Sequence, residues 1–572
     1  MVTSIPTFQL KVSEGIIDVD TSADRLYGYC VEANKGPIME PTIVYSAYEA
    51  KMKFGLDFAP HFAQNPVGVC ICRVGFADAS KAKYEYKMYP EGTTTTGEGA
   101  SAETVGTGQP NTSATDANKK TVLVVESISE GPCDAQAIIK AATTGRGYDL
   151  IVKINEPDTD TNINKKYSSI GSLKYVARKI NNVFGYWLKA TLTEDYKTYA
   201  TTLGAEKSIE WFDVPAADVD LENTSVGVLT GGSNGFMRNA DGEVTSTPVY
   251  HETNGINGTS QADSAVKSRQ VTLERAYNDA FNKIQEVDLI GMAVMTESTF
   301  VQDLLVEHIN HVVDPEIHQL RFGIIGYPDY AKKEDDTEHP ITVDDLKLQP
   351  ALYDNPWIVY VGQGVIFTEN GIDRKIYPHQ AVQLYTGIRS ALGYAEAIFG
   401  GEDKKVLRNV TDVLPLVTDG SEITRELRED LNQSGVCTFK KEYGEVTFLE
   451  GVTTTQDDDV LSYENMMSIV ANVIRRLIRI CKPYQGQLLT EDLKSTLQTA
   501  LSSELQEITN NEGTLMALED FNIPPYDVQV YSAGKTRWDE TNKLVRENKI
   551  IVQCKIVPVG ALRDIDLGVI VI

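Results

Sequence analysis

The sequence has no long hydrophobic run, little cysteine and few basic residues for its length. No stretch approaches the ~20 consecutive apolar residues that cross a bilayer, so we expect no transmembrane helix and no stable membrane insertion. The first ten residues, MVTSIPTFQL, contain neither a basic segment nor a long apolar core, which predicts that no signal peptide is present. These absences together predict a protein that is made and folded in a cytoplasm.

Cysteine is scarce and irregularly spaced. The seven thiols are Cys30, Cys70, Cys72, Cys133, Cys437, Cys481 and Cys554. A metal site would need CxxC pairs or neighbouring histidines, and the odd number argues against a disulfide framework. We therefore expect buried free thiols in a reducing compartment, with Cys70 and Cys72 on one face of an apolar strand.

Positive charge is also in short supply. The 53 Lys and Arg residues stand against 81 Asp and Glu residues, which gives a formal net charge of −28. A general nucleic-acid binder would show a basic face, so this balance argues against nucleic acid as a partner. A strong net charge is typical of a soluble protein that must not aggregate.

Motifs for catalysis or cofactor binding are mostly missing. Neither GxxxxGK[ST] nor HExxH occurs, and the glycine-rich segments at 104–109 and 229–235 lack the helix and the lysine that a phosphate site needs. His308 and His311 share a helix face, with His318 further along, but no thiolate pair or carboxylate–histidine motif supports a metal site. We expect no catalytic residue, no cofactor and no metal.

Composition and periodicity divide the chain into six segments. Alternating apolar residues predict a strand in "LYGYCVEA", the fully apolar run "PVGVCICRVG" predicts another, and Ser46 and Gly55 are predicted to cap a short helix between them. A Gly-, Ser- and Thr-rich stretch at 91–119 predicts a mobile surface loop, and "AQAIIKAATTG" is interpreted as helical. The predicted units are an N-terminal arm (1–25), the first part of an α/β core (26–89), an inserted β-rich outer domain (90–205), an α/β domain (206–455), a C-terminal α+β domain of two helices and a sheet (456–560), and a C-terminal strand (561–572).

Residues 27–75, "GYCVEANKGPIMEPTIVYSAYEAKMKFG…NPVGVCICRVG", resemble the start of contractile phage tail sheath proteins. That family begins with a strand, a KGP turn, a strand ending in serine, a short helix ending in FG and a strand ending in RV. Later segments agree in order, among them "LTGGSNG", "YPHQAVQLYTGIRSALG" and "NVIRRLIRICKPYQGQ". The resemblance covers most of the chain outside roughly 90–200.

The resemblance implies a fold and a function. The implied fold is multidomain, α/β and α+β, with a subtilisin-like α/β domain that lacks a catalytic triad, an inserted outer domain and extended terminal arms. The implied protein is a structural subunit, not an enzyme, that polymerises as stacked six-membered rings around a tail tube and contracts to drive the tube through the host envelope. Its expected partners are further copies of itself, the tube protein, and the baseplate and tail terminator proteins, in a virion assembled in the bacterial cytoplasm.

The two chain ends are predicted to link neighbouring subunits. Both faces of the terminal "LGVIVI" are apolar, so this strand is expected to lie inside a sheet, and an apolar edge strand is suited to strand addition between chains. The family uses both termini in this way. The predicted linking residues are Ile16, Ile17, Val19, Leu567, Val569, Ile570, Val571 and Ile572. The alternative is that the last strand completes the sheet of its own subunit.

One helix carries the clearest basic cluster. Arg475, Arg476, Arg479 and Lys482 lie within two turns, and three of them share a face. Because the family contacts its tube through the C-terminal domain, these four residues are the predicted tail-tube contact. The alternative is that they pair with carboxylates of the same chain such as Glu504 or Glu507.

Three other functions remain open from sequence. The sheath of a contractile bacteriocin or injection system would look the same. A subtilisin-like hydrolase would need a serine, a histidine and an aspartate that converge. A polymeric surface-layer or tube protein would normally carry an export signal.

Overall fold

The structure of the protein is a computed structural model. The described residues are 7–11, 25–33, 35–75, 79–96, 103–130, 133–144, 146–156, 161–197, 211–215, 226–230, 274–285, 287, 289–313, 319–400, 405–421, 424–456, 460–485, 487, 490–518, 522–532, 537–538, 544–545 and 550–559. Several sheets and helices form a mixed α/β multidomain protein.

A seven-stranded sheet is the centre of the α/β domain. Six neighbouring strands run parallel, and only the edge strand Thr42–Val44 is antiparallel to its neighbour. Such sheets are buried on both faces, which explains the continuous apolar runs in their sequences. In spatial order the strands are Val436–Cys437, Ile358–Val361, Phe322–Gly326, Gly291–Ala293, Tyr27–Glu32, Val69–Val74 and Thr42–Val44.

Helices cover both faces of this central sheet. Those on one face are residues 274–284, Thr299–Val312, Val343–Tyr353 and Arg425–Gln433. Those on the other are Ala47–Phe54, Ala59–Ala63 and Pro378–Ala391. Cys70 and Cys72 both lie in the first apolar cluster while Ile71 lies in the second, so the predicted alternation of this strand is confirmed.

The predicted caps of the first helix are present. The Ser46 side chain accepts a hydrogen bond from the Glu49 N–H at 3.1 Å, and Gly55 ends the helix with a φ of +70°. A left-handed C-terminal residue favours glycine because glycine lacks a Cβ. The local sequence therefore determines both ends of this helix.

A β-rich outer domain interrupts the α/β domain. Its core lies between a helix, Leu173–Val183, and two antiparallel sheets. The strands of one sheet are Leu188–Leu192, Lys120–Glu130 and Lys81–Met88, and those of the other are Thr161–Ile170, Tyr148–Glu156 and Ala135–Ala141.

Two expectations for this domain need correction. Residues 135–141, interpreted as helical, form a strand because they pair along their length with Tyr148–Glu156. Within the stretch expected to be a mobile loop, Glu91–Thr96 pairs with Glu103–Pro110 as a two-stranded sheet, as its β-branched threonines favour.

The structure also changes the limits of the outer domain. Strand Lys81–Met88 packs with the outer sheets, ahead of the boundary expected at residue 90. Trp211 and Leu229 belong to the same apolar cluster, beyond the boundary expected at residue 205. The chain therefore returns to this domain after its last long strand.

Three small antiparallel sheets and a short helix lie outside the main sheets. A three-stranded sheet and the hairpin beside it border the α/β domain, and a two-stranded pair lies near the end of the chain. These strands are Val365–Glu369, Ile372–Ile376 and Val410–Val413; Phe439–Glu442 and Glu445–Phe448; and Arg537–Trp538 and Leu544–Val545. A four-residue helix spans Tyr330–Lys333.

The C-terminal domain contains the two long helices that the sequence predicts, Glu464–Cys481 and Glu491–Glu507. They pack on a three-stranded antiparallel sheet with Ile550–Ile556 in the middle and Tyr526–Ser532 at one edge. The strand at the other edge, Thr7–Lys11, comes from the opposite end of the chain. The two ends of the protein thus meet in one sheet.

Candidate assembly surfaces

The sheet of the C-terminal domain already contains one strand added from far away in sequence. Thr7–Lys11 runs antiparallel to Ile550–Ile556, with Gln9 opposite Gln553 in the centre of the five-residue register. Strand addition of this kind is held by main-chain hydrogen bonds, so it depends little on which chain supplies the strand. The predicted linking residues Ile16, Ile17, Val19, Leu567, Val569, Ile570, Val571 and Ile572 lie outside the described residues.

The opposite edge of this sheet is only partly covered. Among the strands described, Tyr526–Ser532 pairs on one side alone, with Ile550–Ile556. On its other side the Gln498 side chain donates to the Val528 carbonyl at 3.3 Å, which occupies one acceptor of that edge. An edge with main-chain groups left over can accept a further strand.

The four basic residues of the first long helix occupy different environments. Arg476 forms ion pairs with both Glu504 and Glu512 of the same chain, so for this residue the intramolecular alternative is found. Arg475 is half-buried and donates to the Leu320 carbonyl at 2.5 Å. Arg479 is exposed, and Lys482 is half-buried just after the helix. The exposed part of the predicted tube-contact surface is thus narrower than the sequence pattern indicates.

A hydrolase of the Ser-His-Asp type needs a histidine placed between a carboxylate and a serine hydroxyl. His379 lies 3.9 Å from Glu297 and His339 lies 3.3 Å from Asp336, but neither imidazole has a serine hydroxyl partner among the described residues. His61 bonds the Thr386 hydroxyl at 3.0 Å and is fully buried, with no carboxylate partner described. Residues 231–235, GGSNG, have the Gly-x-Ser-x-Gly spacing found around the nucleophile of some hydrolases, and they lie outside the described residues.

The two histidines that the sequence places on one helix face have different surroundings, with His308 in the core and His311 exposed. His308 is buried, stacks on Phe281 at 5.1 Å between ring centroids, and has its pKa lowered by burial to about 4. Over the described parts of the chain, no three His, Cys, Asp or Glu side chains group closely enough to hold a metal ion. In the same residues, no helix combines the length and the apolar character needed to cross a membrane.

Sequence reasoning missed one buried charge with structural consequences. Arg73 is the single charged residue of the apolar strand Val69–Val74, and none of it is exposed. Its guanidinium donates to the main chain of the outer domain, at the Glu130 carbonyl, over 2.9 Å. A lone arginine inside "VCICRV" was the available signal, because a buried charge must be hydrogen-bonded.

No protein-family model and no curated protein matches the chain by sequence. Solved structures do match. A sheath tail protein from Desulfitobacterium hafniense is similar over 91% of this chain and 93% of that one, with 11% identity and a TM-score of 0.51. One from Listeria innocua matches over 90% of each chain, with 11% identity and a TM-score of 0.47. The sheath of an extracellular contractile injection system, in its contracted state, matches over 57% of this chain and 89% of that one, with 14% identity and a TM-score of 0.35. The first of these comparisons shows that the chain has the fold of a sheath tail protein.

Proposed function

We propose that this protein is the subunit of a contractile bacteriophage tail sheath, which polymerises as stacked six-membered rings around a tail tube. Contraction of the polymer drives the tube through the host envelope. The observation that carries the proposal is the fold, which is shared along 91% of this chain with a sheath tail protein. The role is structural and requires no catalytic residue, cofactor or metal. The proposed partners are the tube, baseplate and tail terminator proteins, in a virion assembled in the bacterial cytoplasm.

The domains have separate tasks in this proposal. The part of 206–455 that follows Leu229, with the strands Tyr27–Glu32, Thr42–Val44 and Val69–Val74, is the subtilisin-like α/β body without a catalytic triad. The outer domain is an insertion that faces away from the tube. The C-terminal domain lies next to the tube and carries the joints between subunits.

The proposed joint is strand exchange at the C-terminal sheet. In the single chain, Thr7–Lys11 lies on Ile550–Ile556 of its own domain. In the polymer, a neighbour's arm takes such an edge position, with Ile16, Ile17 and Val19 on one arm and Leu567 to Ile572 on the other. Main-chain hydrogen bonds contribute roughly 0.5–1.5 kcal/mol each, and buried branched side chains roughly 1.5–3 kcal/mol each. Several of each make a durable link.

The proposed tube contact is electrostatic and centres on Arg479, with Arg475 and Lys482 beside it. Arg476 contributes less directly, since Glu504 and Glu512 already bind its guanidinium. Charged contacts at a wet interface are weak individually and are screened by salt. Such an interface can release the tube surface when the sheath contracts.

Electron microscopy of the purified chain tests the proposal. We expect rings or striated hollow tubes from the full chain and single particles from a variant that lacks residues 566–572. Deletion of residues 97–100, which leaves two residues to join the paired strands of the outer hairpin, is a control that should assemble normally. Equal assembly by all three proteins would contradict the role of the C-terminal strand. A failure of the full chain to assemble on isolated tail tubes would contradict the sheath function itself.

Cross-linking tests strand exchange directly. Gln9 and Gln553 face each other in the register, so cysteines placed there are within reach of a short thiol cross-linker. Within one monomer, Gln9→Cys/Gln553→Cys should cross-link internally. In assembled material made from a mixture of the two single variants, exchange gives covalent dimers. The pair Gln9→Cys and Lys165→Cys is the control, since Lys165 lies on the outer domain. The exchange would be overturned if the Gln9→Cys and Gln553→Cys mixture gave no covalent dimers while the control pair did.

A further inference from the structure

The turn Lys35–Pro37 is the "KGP" turn of the family resemblance described above. It lies at the border between the α/β domain and the outer domain. The Gly36 carbonyl accepts a hydrogen bond from Arg73 Nη1 at 2.6 Å. The same Nη1 donates to the Glu130 carbonyl at 2.9 Å, on a strand of the outer domain. One fully buried guanidinium therefore holds the turn and the outer domain together.

A second hydrogen bond crosses the border, and it is again donated from the α/β domain. The Gly36 N–H donates to the Ser129 hydroxyl at 2.8 Å, and Ser129 is 7% exposed. Gly36 has a φ of +101°, and a Cβ at this position would lie 2.3 Å from the Phe54 ring. Only glycine can therefore present its N–H and its carbonyl to the outer domain from this turn.

A third contact involves the lysine of the same turn. Lys35 is only 5% exposed, and its ammonium lies 5.4 Å from the centre of the Trp187 ring, on the outer domain. The Trp187 carbonyl in turn accepts the N–H of Ile128, on the strand that contains Ser129. A cation over an aromatic face is attracted by the ring quadrupole, more strongly when both are shielded from water.

These contacts are satisfied in one orientation of the two domains. A rotation of the outer domain would take the Glu130 carbonyl away from Arg73, the Ser129 hydroxyl away from the Gly36 N–H and the Trp187 ring away from the Lys35 ammonium. Each lost partner is expensive, because a buried polar group without a hydrogen bond loses its solvation without compensation. We propose that Lys35, Gly36 and Arg73 form a lock that fixes the outer domain in a single orientation on the α/β domain.

The lock goes beyond the proposed sheath function and does not depend on it. Loss of these contacts should allow the outer domain to sample more orientations. With it, the outer domain moves as one body with the α/β domain. The experiment therefore uses the full chain as a monomer.

Electron–electron double resonance between two spin labels measures this orientation. Tyr48 on the α/β domain and Tyr175 on the outer domain are exposed and suit replacement by labelled cysteine, with Cys133→Ser removing the least buried native thiol. We expect one narrow distance distribution in the parent. Lys35→Met/Arg73→Met/Ser129→Ala should broaden it at least two-fold, with the circular dichroism of the folded chain retained. The matched control, Lys165→Met/Arg146→Met/Ser113→Ala, changes exposed residues of the outer domain and should keep the narrow distribution.

Either of two results would overturn the lock: a broad distribution in the parent, or an unchanged width in the triple variant. If the triple variant does not fold, Ser129→Ala alone decides the matter through hydrogen exchange. We expect the Gly36 amide to exchange at least ten-fold faster in Ser129→Ala than in the parent. An unchanged exchange rate would show that the contact between the domains does not hold this turn.

Discussion

Arg389 Nε lies 2.9 Å from a carboxylate oxygen of Glu464, and the two side chains are 2% and 1% exposed. Arg389 belongs to the long helix of the α/β domain, while Glu464 begins the first helix of the C-terminal domain. The remaining guanidinium donors reach the Tyr394 and Glu396 carbonyls and the Ser468 hydroxyl. Burial raises the pKa of Glu464, and the nearby Arg389 charge opposes that rise. The α/β domain and the C-terminal domain are thus joined by a buried ion pair.

This pair predicts a characteristic double-mutant cycle. Glu464→Leu or Arg389→Met alone should lower the free energy of unfolding by about 3–5 kcal/mol, since each leaves a buried charge unpaired. The double variant should lose less than the sum of the two, because neither charge remains. Urea denaturation measures all four proteins.

The exposed pair Arg425 and Glu429, whose side chains are 83% and 48% exposed, gives the matched control. Its replacement should change the free energy of unfolding by less than about 1 kcal/mol. Additive losses in the Arg389 and Glu464 cycle would contradict a direct coupling between those two residues.

Local signals in the sequence determined those elements whose ends depend on nearby residues. Ser46 and Gly55 cap their helix through contacts within a few residues, and the predicted strand segment "LYGYCVEA" contains strand Tyr27–Glu32. Residues 135–141 were misjudged because Ala, Gln and Lys favour a helix, whereas pairing with Tyr148–Glu156 decides the conformation.

The candidate surfaces depended on contacts that a sequence does not show. Helical spacing places Arg475, Arg479 and Lys482 on one face, but it cannot show that Glu504 and Glu512 meet Arg476 from further along the chain. Likewise, the apolar pattern of the chain ends indicates strands without showing which edge receives them. The resemblance to a family indicated the fold because it rests on the order of many segments along the chain. Contacts between residues that are distant in sequence are visible only in the structure.

The stability of the protein should fall as pH rises from about 4 to about 8, through the contribution of Glu32. This carboxyl is largely buried at the end of a central strand, which raises its pKa to about 8 although the Tyr277 hydroxyl donates to it at 2.8 Å. Its pKa in the unfolded chain is about 4.3. Between the two values the folded state holds a proton that the unfolded state releases, so stability declines across this window and levels off above it.

Glu32→Gln removes this dependence while keeping an acceptor for the Tyr277 hydroxyl. The variant should match the parent near pH 4 and exceed it by about 2–5 kcal/mol near pH 8. Urea unfolding at several pH values gives the difference, and the exposed Glu426→Gln provides the matched control. A constant offset between parent and Glu32→Gln at every pH would count against a raised pKa.

Gly326 should tolerate no side chain. A Cβ at this position would lie 2.3 Å from the Pro378 carbonyl oxygen, so the start of the long helix would have to move away from the central sheet. Gly326→Ala is expected to destabilise the protein by about 1–3 kcal/mol, as forced backbone shifts in a packed core do. Gly171→Ala is the control, because a Cβ there meets nothing within 4 Å. Similar melting temperatures for the two variants would contradict the close approach.

Tyr443 has a backbone conformation that is unfavourable for tyrosine. It occupies a two-residue turn between strands Phe439–Glu442 and Glu445–Phe448, with a φ of +52°, and Gly444 follows at +89°. Turns with two positive φ values favour Asn–Gly, which the chain uses at Asn370 and Gly371 in the neighbouring hairpin. The Tyr443 side chain is fully exposed, so packing within the chain does not offset the strain.

Tyr443→Asn is therefore expected to raise the free energy of unfolding by about 0.5–1 kcal/mol, since asparagine adopts positive φ more readily than tyrosine. Thermal unfolding monitored by circular dichroism measures the change, and Asn370→Tyr, the reverse substitution in the matching turn, should lower stability by a similar amount.

If Tyr443→Asn lowered the melting temperature instead, the Tyr443 ring would have to make a stabilising contact within the subunit. If it raised the melting temperature and weakened assembly in the electron microscope, the side chain would be a contact between subunits, because strain without an internal benefit is retained where a partner supplies the benefit.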